Sequence, residues 1–261
     1  MIYFIYFILF LFVFFYGACF ASFIAAFAYR YSKGLKISKG RSFCEGCGST
    51  LKAIDLIPVF SYIFLNGRCR VCKQKIPVGY FLTEIVGGCI CLLCFFRFDF
   101  SYSALLASGV GLTLLCVALV DEKIMTIPDR CQVLLLGLGI ISLWVLDTPI
   151  KCRIIGIFSV SVALVIVNIL CQKLLGQAAF GGGDIKLTAV CGFLLGWQNM
   201  LLAMFIALVF GGGYAIYLLV KKRQRGDTQI PFGPYLAVGI FTAMLYGDTI
   251  IQGYLRLTGL S

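Results

Sequence analysis

Two aspartates and four cysteines carry the chemistry open to this chain. Asp184 follows Gly181, Gly182 and Gly183 and precedes an apolar run. Asp121 closes another apolar run and opens Asp121-Glu122-Lys123-Ile124-Met125-Thr126-Ile127-Pro128-Asp129. A carboxylate at a membrane edge is costly unless it has a partner or a task. Singly, each aspartate reads as a helix cap or a surface charge. Together, on one membrane face, they read as a two-carboxylate catalytic site. Two close carboxylates cannot both ionise easily, so they share a proton. One is then a base toward water and the other an acid toward a peptide carbonyl. That pair hydrolyses a peptide with no metal and no covalent intermediate. Glycines before Asp184 let the backbone turn sharply and let an extended substrate approach. Asp129 competes for the role, but Pro128 marks a helix start and a cap is the expected use. Lys186 either favours the ionised aspartate or snorkels to the interface, and snorkelling is the preferred reading.

The cysteines come as Cys44-Glu45-Gly46-Cys47 and Cys69-Arg70-Val71-Cys72. Each CxxC can place two thiolates on one turn, and two such turns complete a tetrahedral zinc site. The intervening Gly48 to Arg68 slightly exceeds the usual ribbon gap of ~15–20 residues. With sulfur in all four positions, such a zinc is structural. Disulfides and unliganded thiols are the alternatives, and a cytoplasmic loop disfavours disulfides. Of the 13 cysteines, the others lie in or beside apolar runs and read as small hydrophobes. The chain has no histidine. That removes imidazole catalysis, histidine metal sites and Ser-His-Asp triads.

The elements that must position these residues are membrane spans. The chain is 61% hydrophobic and 13% charged over 261 residues, with a mean hydropathy of +1.00. A soluble domain could not hide that much apolar surface, and several runs approach the ~20 residues that cross a bilayer. The sequence predicts an all-α polytopic membrane protein with about eight transmembrane helices. The first covers residues 1–29, and residues 30–79 form a cytoplasmic cysteine-rich loop between helices 1 and 2. Residues 80–261 form the membrane domain that carries both aspartates. Its spans run from Tyr80 to Phe96, Ser101 to Val120, Asp129 to Leu146, Arg153 to Leu175, Ile185 to Trp197, Met200 to Val220 and Tyr235 to Tyr254. Ile185 to Trp197 is short for a span, and the break after it is set at Gln198-Asn199.

Lys and Arg set the orientation. With the N-terminus outside, only Arg97, Lys151, Arg153 and Arg256 of the 22 lie outside. Both aspartates and the cysteine loop then face the cytoplasm. The net charge of +11 reads as topology and anionic lipid, not as a nucleic-acid surface.

Gly181-Gly182-Gly183-Asp184-Ile185-Lys186-Leu187 resembles the GxGD signature of the type IV prepilin peptidases. Val120-Asp121 with the downstream Ile127-Pro128-Asp129, and Ile230-Pro231-Phe232-Gly233-Pro234, match two further family segments. The loop matches at Asp55-Leu56-Ile57-Pro58-Val59, Ser61-Tyr62, Gly67-Arg68-Cys69-Arg70, Cys72 and then Glu84. The resemblance runs from about Ala21 to Gly239. It implies an aspartic endopeptidase that removes the basic leader from type IV prepilins or type II secretion pseudopilins. It places the work at the cytoplasmic face of a bacterial inner membrane, with Asp121 and Asp184 catalytic. Gly181, Gly182, Gly183, Lys186, Pro231, Gly233 and Pro234 support them. Members with the cysteine loop also methylate the new N-terminus with S-adenosylmethionine, and Glu84 is the candidate residue for that step. The peptidase step itself needs no cofactor. Ala21-Ser22-Phe23-Ile24-Ala25, Cys44-Glu45-Gly46-Cys47 and Gly79-Tyr80-Phe81 depart from the family pattern, all in the methylation-associated part. Glu84 otherwise reads as a carboxylate paired with Arg68 or Arg70. The rival readings are a peptidase without methylation, a methyltransferase without peptidase, and a transporter using buried carboxylates.

Overall fold

The computed structural model describes residues 2–36, 41–221 and 230–259. Lys39 and the basic run from Lys222 to Arg225 lie outside the described residues. Two compact units divide the chain, Met1–Cys116 and Val117–Ser261.

In the first unit, α1 (Ile2–Ser32) packs along α3 (Val78–Phe98). Between them the loop contains a 3₁₀ turn, Ala53–Leu56, and a short helix α2 (Phe60–Phe64). Phe10 of α1 stacks on Phe96 of α3 with centroids 4.2 Å apart. The helix α4 (Tyr102–Ile124) begins in the first unit and carries Asp121 in its last turn, inside the second.

The second unit continues with α5 (Asp129–Val145), α6 (Ile150–Ser159), α7 (Ser161–Leu175), α8 (Gly182–Leu195), α9 (Trp197–Val220) and α10 (Gly233–Thr258). Helix α8 packs against α5, α6 and α9, and α9 packs along α10. Among the described residues, six helical stretches are long and apolar enough to cross a membrane. Outward side chains such as Phe12, Trp144 and Phe205 are exposed. This is a multi-pass membrane protein. The expected fourth and sixth spans form α5 and α8, which are shorter, at 17 and 14 residues. At 14 residues α8 reaches only ~21 Å.

Several local details differ from the sequence reading. The expected fifth span is one apolar stretch made of α6 and α7, which meet at Val160. Ser159 and Ser161 turn their hydroxyls back onto the carbonyls of Gly156 and Ile157, and such back-bonding bends helices. The break after α8 falls at Gly196 and not at Gln198-Asn199, because Gly196 adopts φ +81° and ends the helix. Asp129 is the first residue of α5, not its cap, since Pro128 takes the cap position.

Arg153, expected as an outside charge, is fully buried. Its guanidinium donates to Ser142 and Leu146 carbonyls at the end of α5, and to Phe193 and Leu194 carbonyls at the end of α8. Carbonyls in a last helical turn run short of backbone donors, although Ser142 O also accepts the Leu146 N–H at 2.9 Å, and a cation there suits the helix dipole. Gly156 and Gly192 bring α6 and α8 into backbone contact, where a Cβ on Gly156 would lie 2.2 Å from the Gly192 oxygen. Helix α8 is thus held at its far end and along its flank, which fixes where Asp184 sits.

Candidate functional site

Asp184 is the third residue of α8 and is 8% exposed. Its Oδ2 accepts the Gly181 backbone N–H at 3.2 Å. Its Oδ1 is buried and has no hydrogen-bond partner among the described residues. Asp121 is 5% exposed and close enough for its charge to act on Asp184. Asp121 Oδ2 accepts the Gly233 N–H at 2.8 Å. Gly233 opens α10, with Pro234 just behind it in the first turn, where a missing N–H costs nothing. Each carboxylate therefore sits at a helix N-terminus, Asp184 at that of its own helix α8 and Asp121, carried by α4, at that of α10. The free N–H groups and helix dipole there favour negative charge.

Glycine matters at two points. None of Gly181, Gly182 and Gly183 has a positive φ, so no left-handed turn is involved. Gly183 lies against Ile127, where a Cβ would come within 3.1 Å, whereas a Cβ on Gly182 would meet open space. Gly233 is the tight position. A Cβ there would lie 2.7 Å from Asp121 Oδ2, so a larger residue displaces the carboxylate it serves.

A second group of residues lies in the first unit. The four cysteines Cys44, Cys47, Cys69 and Cys72 bring their sulfurs within 4.8 Å of one another. Each pair sits on a turn closed by an antiparallel bridge, Phe43 with Thr50 and Arg68 with Lys75. The turns repeat one another. Cys44 N–H bonds Ser49 O and Cys69 N–H bonds Gln74 O, both at 2.9 Å. Gly48 and Lys73 occupy the matching left-handed positions. Two turns facing one point with four sulfurs could hold a tetrahedral metal. Hydrogen bonds from the side chain and backbone of Ser49 hold the Cys47 thiol down to about 6, toward the thiolate that binds metal.

Beside these turns is a cavity of about 240 Å³, lined in part by Glu84, Glu45, Asp55 and Arg70. The pairing of Glu84 with Arg70, one of its two readings in the sequence, does not form. Arg70 forks onto Asp55 at 2.7 Å instead. Burial works against the Asp55 charge, but Arg70 and the Lys52 N–H outweigh it and hold this carboxyl below its ordinary range. Glu84 is buried, and its Oε2 accepts the Val59 N–H at 2.8 Å. Val59 has φ +65°, a strained conformation for a β-branched residue. Glu84 therefore anchors a strained turn at the cavity wall.

The chain's similarity to known proteins covers both units. Residues 15–98 match the model of the bacterial peptidase A24 N-terminal domain. Residues 108–216 match the model of the type IV leader peptidase family. A prepilin leader peptidase/N-methyltransferase of Pseudomonas putida is 33% identical over 222 residues, 84% of this chain and 76% of the relative. A protein of the same name from Bacillus subtilis (strain 168) is 30% identical over 245 residues, 94% of this chain and 97% of the relative.

The chain belongs to the type IV leader peptidase family.

No solved structure matches it. In this leader peptidase family member, Lys186 pairs at 3.2 Å with Asp129, both side chains exposed, and so turns away from Asp184. Pro231 and Phe232 lead into the Gly233 turn, and the Phe232 ring meets Phe180 edge-on at 5.3 Å. Phe180 and its partner Asn168 escaped the sequence reading. An aromatic residue before glycines, and an asparagine in an apolar helix, carry no local signal of their own beyond the cost of burying an amide.

Proposed function

We propose that this chain cleaves the leader from type IV prepilins or pseudopilins with Asp121 and Asp184, and then methylates the exposed N-terminus. The observation that carries the peptidase reading is the buried, unpartnered Oδ1 of Asp184 beside a second buried carboxylate. One carboxylate holds a proton and the other is ionised. The ionised one takes a proton from water as the water oxygen bonds to the scissile carbonyl carbon. The protonated one gives its proton to the carbonyl oxygen. Collapse of the tetrahedral diol breaks the C–N bond, and the departing amine takes up a proton. The N–H groups of Gly181 and Gly233 hold one oxygen of each carboxylate and leave the other for this exchange.

The cysteine cluster fits structural zinc by donor type and spacing. Zinc there would tie the two turns of the loop together. Double replacement Cys44→Ser with Cys69→Ser should abolish zinc binding and leave the loop open to protease, because the ligands supply much of the folding energy of so small a unit. Elemental analysis of freshly purified, unchelated protein checks this, and absence of zinc from the unaltered protein ends the idea.

The cavity beside the cluster suits S-adenosylmethionine, which supplies a methyl group on a cationic sulfur. Among the described residues Glu84 makes no ion pair, so its charge is available to a cation. Glu84→Gln keeps an oxygen for the Val59 N–H and removes only the charge. It should lower methylation about 10-fold or more while cleavage continues.

The orientation follows from charge. The Lys and Arg distribution supports an outside N-terminus, with the loop and both aspartates on the cytoplasmic face of a bacterial inner membrane. An impermeant maleimide should fail to label an Ile54→Cys variant in intact cells and succeed once the membrane is opened. Labelling of intact cells reverses the topology.

The deciding experiment mixes purified protein with a prepilin and labelled S-adenosylmethionine, and reads product mass and N-terminal methyl content. Loss of the leader followed by gain of methyl is expected. Cleavage without methyl leaves a peptidase alone. Methyl without cleavage leaves a methyltransferase, and neither product favours the transporter reading.

A further inference from the structure

The two loops that serve the aspartates are joined through groups the mechanism above does not use. Asn168, on α7, makes a two-point contact with Phe180. Its Nδ2 donates to the Phe180 carbonyl at 2.8 Å, and its Oδ1 accepts the Phe180 N–H at 2.7 Å. The Phe180 carbonyl and the Gly181 N–H belong to one peptide group. A peptide group is planar, so fixing the direction of its carbonyl fixes the opposite direction for its N–H. That N–H donates to Asp184 Oδ2. A hydrogen bond on the carbonyl also polarises the N–H of the same unit and strengthens what it donates.

The same arrangement recurs at the other aspartate. Gly233, whose N–H serves Asp121, directly follows Phe232. Phe232 meets Phe180 ring to ring, and a Cβ on Gly211 of α9 would lie 3.4 Å from the Phe232 ring. Each carboxylate thus receives the N–H that follows a phenylalanine, and the two phenylalanines touch.

We propose that Asn168 is a positioning residue of the peptidase site: it aims the Phe180–Gly181 peptide at Asp184 and, through the Phe180–Phe232 contact, keeps the Gly233 donor on Asp121 in step. This rests on the reading of Asp121 and Asp184 as the catalytic pair. Asn168 itself touches neither aspartate and acts only through the peptide it holds.

Asn168→Leu, Phe180→Leu, their combination and Asn168→Asp test it in steady-state cleavage of a prepilin by the full chain in detergent. Asn168→Leu removes both hydrogen bonds at similar volume. It should lower kcat about 10- to 100-fold, the cost of a small misplacement at a reacting centre, while KM stays within about twofold. Combined with Phe180→Leu it should lose less than the two separate losses together, because both act through one peptide. Asn168→Asp supplies the most specific readout. A neutral carboxylic acid offers one donor and one acceptor, as the amide does, whereas the ionised form offers acceptors only and faces the Phe180 carbonyl. The ratio of its kcat to that of the unaltered protein should therefore rise as pH falls.

Methyl transfer onto a leader-free pilin reports on the integrity of the protein and should be unchanged in all four variants. Unaltered kcat in Asn168→Leu overturns the inference. So do strictly additive losses, a flat pH ratio for Asn168→Asp, or a parallel loss of methyl transfer. Asp184→Asn run alongside separates the two levels. If it cleaves normally, the catalytic pair itself is wrong. If it is inactive while Asn168→Leu is normal, only the role of Asn168 falls.

Discussion

Asp121→Asn and Asp184→Asn should each lower leader cleavage by about 1,000-fold or more, with the protein still inserted in the membrane and its cysteine cluster intact. An amide cannot take a proton from water, nor share one with a neighbouring carboxylate. The substitution is nearly isosteric. The Gly181 and Gly233 N–H groups can still donate to the amide oxygen, so the fold around the site is spared and the chemistry alone is lost. Asp129→Asn is the contrast. Asp129 lies on the surface and, among the described residues, pairs with an exposed lysine, and such pairs contribute little. Single-turnover cleavage of a prepilin by the three variants is the measurement. The pair should also titrate as a unit, with two apparent ionisations that belong to neither residue alone. An Asp129→Asn variant as inactive as Asp184→Asn, with Asp121→Asn still cutting, would mean that the wrong carboxylates have been joined.

Gly233→Ala should lower cleavage by at least ~100-fold, although it replaces no titrating residue. A Cβ at this position would lie 2.7 Å from Asp121 Oδ2 and 2.9 Å from its Cγ. Neither neighbour can yield cheaply. The carboxylate is buried and hydrogen-bonded to the same glycine, and the backbone is the first turn of α10. The expected result is a carboxylate pushed off its donor and out of line with Asp184. Gly137→Ala provides the control, since a Cβ there meets open space, and alanine favours the helix over glycine. Methyl transfer to a leader-free pilin should survive in both variants, and cleavage only in Gly137→Ala. Normal cleavage by Gly233→Ala would show that the Asp121 contact is dispensable.

Much of this protein can be read along the chain. The apolar runs become helices wherever they are long enough, because a backbone in lipid must satisfy its own hydrogen bonds. The paired CxxC turns come together because four sulfurs on two short turns need only local geometry and one loop closure. Asp121 and Asp184 are conspicuous at the ends of apolar runs because charge is scarce there.

What cannot be read that way is which polar group meets which. In the sequence Arg68 and Arg70 are both candidate partners for Glu84, yet Arg70 goes to Asp55 and Glu84 holds the strained Val59 turn. Lys186 stands two residues after Asp184, where helical side chains do not face one another, and pairs with Asp129. Arg153 looks like a loop charge and closes the ends of two helices from within. Asp184 finds its donor three residues away at Gly181, whereas Asp121 finds its own at Gly233, across 112 positions. The physical reason is the same throughout. Helix formation, breaks and the cysteine turns depend on neighbours within a few residues, so their signals are local. Pairing of buried polar groups is compulsory in a low-dielectric interior, but the choice of partner depends on how helices pack, and side chains far apart in sequence meet only once that packing exists.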